Sequence, residues 1–291
     1  MRAKLIAEIG CNHKGQMEIA REMIMIAATV CRAQVAKFQK RNPKECLTEE
    51  EYQRPHPNEI FAYGPTYGAH REALEFTKEQ HQQLKKWCEE YKIEYSTSVW
   101  DMTSAREIIE LEPAMIKVPS ACNLNRPLLE VLAQEFSGKI HVSFGMTTVE
   151  EEEKIVSFFE SKGRAGDLVI YSCTSGYPVP FEDICLEEIT RLQTAFADRV
   201  HGIGFSGHHL GIAADIAAMM LGAKFIERHF TLDRTWKGTD HAASLEPDGL
   251  RRLSRDIRHV SLALERKEQE ILPIEEVQRK KLKAGQIRWT P

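Results

Sequence analysis

Two histidines stand at the ends of consecutive β-rich runs in the second half of the sequence. His208 closes the run HGIGFSGH, and His229 lies in the next run, KFIERHFTL. Imidazole nitrogens bind borderline divalent ions such as manganese, cobalt, iron or zinc, and carboxylates often complete or orient the ligand set. Glu8 and Asp240 are the carboxylates that we expect in this role. The spacing equally allows each histidine to be an ordinary hydrogen-bonded core residue.

Two lysines lie inside other β-rich runs. Lys37 stands in VAKFQK and Lys117 in MIKVPS. A lone strand lysine is usually a solvated edge residue, but an unpaired ammonium in a strand covered on both faces is costly. With nearby hydroxyl groups, two inward lysines form a site for a carboxylate and a phosphate. Either lysine is alternatively a candidate Schiff-base nucleophile.

Further polar side chains occur near the ends of most β-rich runs, where strand propensity would not select them. We expect them to face a common ligand, because the carboxyl ends of barrel strands carry the active site. His209 starts the following helix and is predicted to be a capping or surface residue. Besides the residues named above, the candidates are Asn12, Gln39, Thr97, Ser120, Ser143, Ser175, Tyr177, Ser206 and Glu227.

The elements that must position these side chains follow one repeated pattern, a β-rich run and then an amphipathic helical stretch. Strict alternation implies parallel strands with right-handed crossovers. Eight such units in about 250 residues are typical of a closed α/β fold, the (β/α)8 TIM barrel. The predicted strands are 4–10, 35–40, 93–100, 115–120, 139–146, 167–175, 201–208 and 224–232.

The repeat is interrupted once, by a segment rich in Pro, Gly, Tyr and charge at residues 41–77. We interpret this 41–77 segment as a substrate-covering loop or a partner contact on the catalytic face. The predicted catalytic barrel domain is therefore 1–265, and the charged residues 266–291 are predicted to be a helix fragment followed by an extended end.

Composition excludes several classes of function. The 291 residues carry a formal net charge of −4 without a basic block, which argues against a nucleic-acid surface. There is no signal-peptide pattern and no apolar run long enough to span a bilayer, so we expect a cytoplasmic protein. Seven cysteines without a CxxC pair suggest neither a disulfide framework nor structural zinc. No GxGxxG or GxxxxGK[ST] motif indicates a nucleotide cofactor.

Taken together, the motifs resemble those of the sialic acid synthase family, the N-acetylneuraminate synthases. The resemblance implies a (β/α)8 barrel that condenses phosphoenolpyruvate with an open-chain N-acyl aldose, or its 6-phosphate, to a nine-carbon 2-keto-3-deoxy acid and phosphate. It also implies a homodimer. The matching segments, in order, are AEIGCNHKG, AKFQK, IKVPS, SFGM, CTSGYPVP, GFSGHHLG, GAKFIERHFTLDR and GTDHAASLEP, within residues 7–247.

Site roles follow from the same resemblance. His208 and His229 match the metal-binding histidines, whose ion would be Mn²⁺, or alternatively Co²⁺ or Mg²⁺. The residues matched to phosphoenolpyruvate binding are Lys37, Gln39, Lys117, Ser120, Ser143 and Ser206. Those matched to the reacting centre or the sugar site are Glu8, Tyr177, Glu227 and Asp240.

The sequence departs from the family on the sugar side of the site. Cys122 stands where the family commonly has a carboxylate, Gly207 where it has Asp, and Ser175 where some members have Asn. The resemblance covers the barrel and does not extend to the small antifreeze-like module that commonly follows it. We therefore expect that a sugar without the N-acetyl group, such as mannose or its 6-phosphate, is also a candidate substrate.

Three other interpretations remain open from the sequence. The first keeps the chemistry but makes a shorter, eight-carbon or seven-carbon, keto-deoxy acid. The second is a lysine-dependent Schiff-base aldolase on the same fold. The third is a non-catalytic sugar-binding homologue.

Overall fold

The computed structural model describes residues 3–283 as a closed parallel barrel with its strands in sequence order. Alternating strands and helices close on themselves because β8 pairs with β1, which confirms the predicted TIM barrel. Residues 284–291 of the predicted tail lie outside the described residues. The strands are β1 Lys4–Gly10, β2 Val35–Lys40, β3 Glu94–Val99, β4 Met115–Val118, β5 Lys139–Ser143, β6 Leu168–Cys173, β7 Gly202–Gly207 and β8 Phe225–His229.

Helices cover the outside of the barrel. The longer helices between strands bury an apolar stripe, as in α1, where Ala20, Met23, Ile24 and Ala27 are buried. Helices α3 and α12 bury no residue. Side-chain caps begin several of them. The helices are α1 Met17–Thr29, α2 Pro43–Cys46, α3 Glu49–Gln53, α4 Tyr67–Glu72, α5 Lys78–Glu90, α6 Met102–Ile109, α7 Arg126–Glu135, α8 Val149–Ser161, α9 Glu187–Phe196, α10 Ala213–Met220, α11 Pro247–Ala263 and α12 Pro273–Leu282.

Strand boundaries differ from the expectation mainly at the carboxyl ends. The runs predicted to 146 and 232 are strands only as far as Ser143 and His229. Beyond Ser143 the chain turns, and Met146 adopts a left-handed backbone with φ of 60°. The residues that overshoot the strands are therefore loop residues over the mouth of the barrel.

The inside of the barrel is closed at its amino-terminal end by a small apolar cluster. Ile6, Val35, Met115 and Val169 pack there with the ring of Tyr171. A Cβ at position 204 would lie 2.5 Å from the Tyr171 ring, so a glycine is required beside it. Because this floor is filled, the interior is open to a ligand only at the carboxyl ends of the strands.

The 41–77 segment is not an irregular loop but contains α2, α3, a 3₁₀ turn and α4. Asp101 ties its start to the barrel, since its carboxylate accepts hydrogen bonds from the amides of Asn42 and Ser104, both at 2.7 Å. Arg41 and Glu75 join the two ends of the segment through an ion pair at 2.5 Å. The segment is thus held against the catalytic face.

Helix α12 occupies part of the predicted tail, and its Ile274 and Val277 side chains are exposed. Between residues 3 and 283, no helix combines the length and apolarity needed to cross a membrane.

Candidate active site

A cavity of ≈ 450 Å³ opens at the carboxyl ends of the strands. Most of the residues predicted from the sequence line it, although they come from all parts of the chain. Parallel strands bring them together because their carboxyl ends meet at one rim. The predicted residues in the lining are Glu8, Lys37, Gln39, Lys117, Ser120, Ser143, Ser175, Tyr177, Ser206, His208, Glu227, His229 and Asp240.

The deepest part of the cavity holds two lysines and two glutamates. Lys117 Nζ lies 2.7 Å from Glu227 Oε1, and Lys37 Nζ lies 2.6 Å from Ser98 Oγ and contacts the carboxylate of Glu8. Both lysines are 3% exposed, so neither is a solvated edge residue. Paired opposite charges are the condition under which such burial is tolerated.

Glu227 is the shared acceptor of this group. Burial alone would raise the pKa of its carboxyl, but the Lys117 and Lys37 ammonium groups outweigh it and lower that pKa to about 2. Ser206 Oγ also donates to Glu227 at 3.3 Å. Glu227 is therefore an ionised counter-charge that holds the lysines in place rather than a proton donor.

Tyr171 supports Lys117 from below. The Lys117 ammonium lies 4.0 Å from the centre of the Tyr171 ring, a cation–π contact. The Tyr171 hydroxyl is in turn within 2.7 Å of His141 Nδ1. The barrel floor therefore fixes the direction in which Lys117 projects.

Hydroxyl groups from three loops converge beside the lysines. Ser120 and Ser175 approach Gly145 so closely that a Cβ at position 145 would collide with both Oγ atoms. Asn123 holds this turn, because its side-chain amide donates to the carbonyls of Ser143 and Gly145 at 2.9 and 3.1 Å. The result is a cluster of hydroxyl donors suited to oxyanions.

The two predicted metal-binding histidines face each other across the ends of β7 and β8. Their ring centres are 5.3 Å apart, and the Tyr177 ring lies 4.4 Å from that of His208. Burial, and then the neighbouring His229, lower the pKa of His208 to about 3. Burial also lowers the pKa of His229. Both imidazoles are neutral at physiological pH, as metal ligation requires.

The donor atoms of this pair fit a metal ion. His208 Nδ1 lies 3.0 Å from the Thr174 carbonyl and must donate to it, so Nε2 keeps its lone pair. His229 Nδ1 is buried and lacks a hydrogen-bond partner within the described part of the chain. No third histidine, cysteine or carboxylate completes a ligand group with them among residues 3–283. An ion here would take its remaining ligands from water or substrate, leaving open positions.

His209 is not a surface residue, contrary to the sequence prediction. It is fully buried, and its Nε2 lies 3.1 Å from Arg228 Nη1. The same Arg228 nitrogen donates to Asp215 Oδ2 at 2.5 Å and to the Gly211 carbonyl at 2.8 Å. The adjacent histidines thus have separate roles, His208 in the cavity and His209 in a buried network that holds the turn after β7.

Two other predicted site residues, Thr97 and Asn12, do not line the cavity. Thr97 faces the helices, where its hydroxyl lies 2.8 Å from that of Tyr95, because successive strand residues point to opposite faces. Ser98 occupies the inward position instead. The Asn12 amide donates to the Phe230 carbonyl at 2.8 Å and to Ser244 Oγ at 3.0 Å, so it joins the loops after β1 and β8.

The 41–77 segment adds residues to the cavity that were not predicted from the sequence. These residues have no periodic signal, and only the local charge and aromatic content of the segment could have drawn attention to them. The added lining residues are Arg41, His56, Tyr67, His70, Arg71 and Leu74, with Trp100 beside them.

The chain matches a known protein family over most of its length. Residues 23–269 match the model of the NeuB family. The chain is 38% identical over 271 residues to human N-acetylneuraminate-9-phosphate synthase, covering 93% of this chain and 74% of the relative. It is 32% identical over 261 residues to N,N'-diacetyllegionaminic acid synthase of Campylobacter jejuni, covering 89% of this chain and 77% of the relative.

A solved structure has the same fold over nearly the whole chain. N-acetylneuraminic acid (sialic acid) synthetase of Leptospira borgpetersenii, in complex with citrate, superposes with a TM-score of 0.80. Its sequence is 27% identical, and the match covers 98% of this chain and 93% of that one.

Proposed function

The chain belongs to the NeuB family and is an enzyme that condenses phosphoenolpyruvate with a sugar, and we propose that this sugar is an open-chain hexose or N-acylhexosamine. The product is then a nine-carbon 2-keto-3-deoxy acid, released with phosphate. The observation that carries the proposal is one cavity in which a buried pair of lysines lies beside a neutral pair of histidines. The lysine side suits an anionic enol phosphate, and the histidine side suits a metal-activated carbonyl.

Phosphoenolpyruvate binds, in this proposal, to Lys37 and Lys117. Its carboxylate and phosphate become further partners of the two ammonium groups, beside Glu8 and Glu227. Charge-assisted hydrogen bonds in a cavity that excludes water position such a ligand firmly. Further donors to its oxygens are Gln39, Ser120, Ser143 and Ser206.

His208 and His229 would hold a divalent metal ion, with Asp240 in the same lining. When bound, such an ion supplies Lewis acidity toward the sugar aldehyde. The Tyr177 ring lies against both histidines, with its centre 4.4 Å from that of His208 and 5.9 Å from that of His229.

Bond formation is between C3 of phosphoenolpyruvate and the aldehyde carbon of the sugar. The aldehyde oxygen takes the C=O electron pair as an alkoxide, and C2 becomes an oxocarbenium centre. Water then adds at C2, and as the bond from C2 to the phosphate oxygen breaks, one proton of the water leaves with phosphate and the C2 carbonyl forms. The other proton of the water passes through a carboxylate to the alkoxide, which becomes the new hydroxyl group. Glu8 is the proposed acceptor of that proton because it reaches the same space as Lys37. Glu227 remains ionised as the counter-charge of Lys117.

The contacts of Lys117 favour anion binding over Schiff-base formation. Its ammonium lies against a carboxylate and a ring face, and both stabilise positive charge. A Schiff-base lysine must be neutral to attack a carbonyl. Trapping with borohydride in the presence of pyruvate would label Lys117 or Lys37 only if the aldolase interpretation were correct.

The experiment is phosphate release from phosphoenolpyruvate with Mn²⁺ and each of a panel of sugars, followed by product mass. The panel contains N-acetylmannosamine, mannose, a diacetamido-hexose and arabinose 5-phosphate, with 6-phosphates of the first two. We expect release only with six-carbon sugars, and a mass equal to the sugar plus the three-carbon keto acid unit. Release with arabinose 5-phosphate alone would instead identify a shorter keto-deoxy acid as product.

Metal binding is measured directly on folded variants. We expect His208→Asn and His229→Asn each to weaken Mn²⁺ binding about 10-fold or more in calorimetry, with the circular dichroism of the wild type. His259→Asn changes an exposed histidine of α11 and should bind as the wild type does. Unchanged Mn²⁺ affinity in both site variants would exclude this ligand pair.

A homodimer completes the proposal, since the family resemblance implies one. Analytical ultracentrifugation gives the mass in solution, and a single species of 33.3 kDa would contradict it.

A further inference from the structure

Tyr171 lies beneath the floor of the cavity and contacts an ammonium group that the proposed function assigns to phosphoenolpyruvate. Its side chain is fully buried and does not belong to the cavity lining. Lys117 Nζ lies 4.0 Å from the centre of the Tyr171 ring. An aromatic face attracts an ammonium most strongly where water is excluded from both. Any effect of Tyr171 on a ligand is therefore exerted through Lys117.

The position of the Tyr171 ring is fixed by its neighbours inside the barrel. Its hydroxyl lies 2.7 Å from His141 Nδ1. Beside the ring, a Cβ at position 204 would approach to 2.5 Å, so Gly204 leaves only the space that the ring fills. The Phe225 ring stands at 75° to that of His141, with the ring centres 5.0 Å apart. Turning the Tyr171 ring away from Lys117 would therefore break a buried hydrogen bond.

Both partners in this hydrogen bond are neutral. Burial, and then the Lys117 ammonium, lower the pKa of His141 well below its ordinary value. Burial, and then the Glu227 carboxylate, raise the pKa of the Tyr171 hydroxyl. A charged imidazolium here would repel the ammonium, and a phenolate would compete with Glu227 as its counter-charge. The neutral pair attracts the ammonium without cancelling its charge, which stays available to an anionic ligand.

The register of the barrel brings these groups together. Strands β4 and β5 pair Lys117 with His141, and β6 and β7 pair Tyr171 with Gly204. A lysine side chain has a flexible four-carbon stem, so its place in a strand does not by itself fix its ammonium. The Tyr171 ring fills the space beneath Nζ, and Glu227 Oε1 lies 2.7 Å from it. These two contacts together hold the ammonium at the floor of the cavity.

We propose that Tyr171, anchored by His141, is a positioning residue that holds the Lys117 ammonium in place for phosphoenolpyruvate. The ring face contacts the ammonium, and the hydroxyl serves to anchor the ring. Without the ring, the flexible lysine loses its defined position and the anionic ligand loses affinity. This inference rests on the proposed function, because it assumes that Lys117 binds the enol phosphate. It assigns part of that affinity to a residue outside the cavity.

The test compares Tyr171→Leu, which removes the ring, with Tyr171→Phe, which keeps it. Calorimetry with phosphoenolpyruvate alone should show affinity about 10-fold lower in Tyr171→Leu and within about 2-fold of the wild type in Tyr171→Phe. In steady state, Tyr171→Leu should raise KM for phosphoenolpyruvate about 10-fold and change kcat by less than about 3-fold. Its KM for the sugar should equal that of the wild type. Equal weakening in both variants would overturn the proposal, because the ring face would not be the acting group.

Phe225→Leu is the matched control. The Phe225 ring packs against the same small apolar cluster, 6.4 Å from the Tyr171 ring, and it also lies outside the cavity lining. This variant should lower the free energy of unfolding, measured in urea, yet bind phosphoenolpyruvate as the wild type does. Equal weakening in Phe225→Leu and Tyr171→Leu would mean a general loosening of the barrel interior, and the proposal would fail. If Tyr171→Leu does not fold, Tyr171→Met takes its place, since methionine adapts to irregular spaces.

A double-mutant cycle shows whether the ring acts through the lysine. In Lys117→Met the ammonium is absent, so adding Tyr171→Leu should change the affinity for phosphoenolpyruvate by no more than about 2-fold. A further 10-fold loss in this background would show that the ring acts by another route, and the positioning role would be refuted.

Measuring binding without a sugar separates this inference from the proposed function. If no sugar supports phosphate release but Tyr171→Leu binds phosphoenolpyruvate about 10-fold more weakly than Tyr171→Phe, the proposed sugar fails and the positioning role stands. If these two variants and the wild type bind phosphoenolpyruvate equally, the positioning role is wrong whatever the sugar is.

Discussion

The floor of the cavity and its 41–77 side both present cationic side chains to the opening, but they are built in different ways. Floor residues such as Lys37 and Lys117 project from barrel strands, and their neighbours are set by the parallel register that pairs Lys37 with Glu8 and Ser96. Residues such as Arg71 stand on short helices that a few side-chain contacts hold in place.

This difference separates two kinds of constraint. A strand residue keeps its position as long as the barrel is closed, so its charge must be compensated by equally fixed partners. A residue of the 41–77 segment keeps its position only while the anchors at Asp101 and at the Arg41–Glu75 pair hold. We therefore expect substitutions of floor residues to lower the rate of the reaction itself, and substitutions in the 41–77 segment to alter sugar binding.

The largest effect is expected from Lys117→Met. Loss of the ammonium should lower kcat/KM about 10²- to 10³-fold. It should also lower the free energy of unfolding by about 3 kcal/mol, because the buried Glu227 carboxylate keeps only the more distant Lys37 ammonium, at 3.6 Å. Urea unfolding and steady-state kinetics measure the two effects. Adding Glu227→Gln to this variant should restore stability but not activity. Lys139→Met is the control, because Lys139 lies at the amino-terminal end of β5, away from the cavity, and is paired with Asp167. It should leave activity as in the wild type. Normal turnover in Lys117→Met would refute the role of the floor.

A smaller effect is expected from Asp101→Ala, which removes the anchor of the 41–77 segment. The cap of α6 is lost as well, so we expect the free energy of unfolding to fall by about 1–2 kcal/mol. We also expect faster proteolysis within the segment, and an increase in KM relative to the wild type that is larger for the sugar than for phosphoenolpyruvate. Thr148→Ala removes the cap of α8, away from the segment, and should lower stability without changing proteolysis there. Equal protease sensitivity of the two variants would mean that Asp101 does not hold the segment.

The smallest effect concerns pH and His70. Burial, and then His56, lower the pKa of His70 to about 4 from an ordinary value of 6.5. As the pH falls, the unfolded chain therefore binds a proton at His70 before the folded chain does. The contribution of His70 to the free energy of unfolding is fully present above pH 6.5 and is lost as the pH falls toward 4. His70→Gln should reduce this loss by about 1 kcal/mol or less between pH 7 and pH 5, measured by urea unfolding at each pH. An identical pH dependence in the variant would show that His70 does not titrate with unfolding.

Most of the cavity residues on the floor could be predicted from the sequence. Few of those contributed by the 41–77 segment could. A lysine or serine within an apolar strand run is conspicuous, so Lys117 and Ser206 could be identified before their partners were known. The error at Thr97 came from a one-residue ambiguity in which face of β3 points inward, and Ser98 is the inward residue. His209 was misjudged because its partner Asp215 on α10 and Arg228 on β8 meet only in the folded protein.

The sequence alone determined the barrel, its eight strands and the rim at which polar residues meet, because alternating hydrophobic periodicity is a local property of the chain. Tertiary structure decided the rest. It paired Lys117 with Glu227 across 110 positions of sequence and placed Arg41 and Arg71 on one tryptophan ring. Such contacts depend on where separate elements pack, and no local pattern in the sequence carries that information.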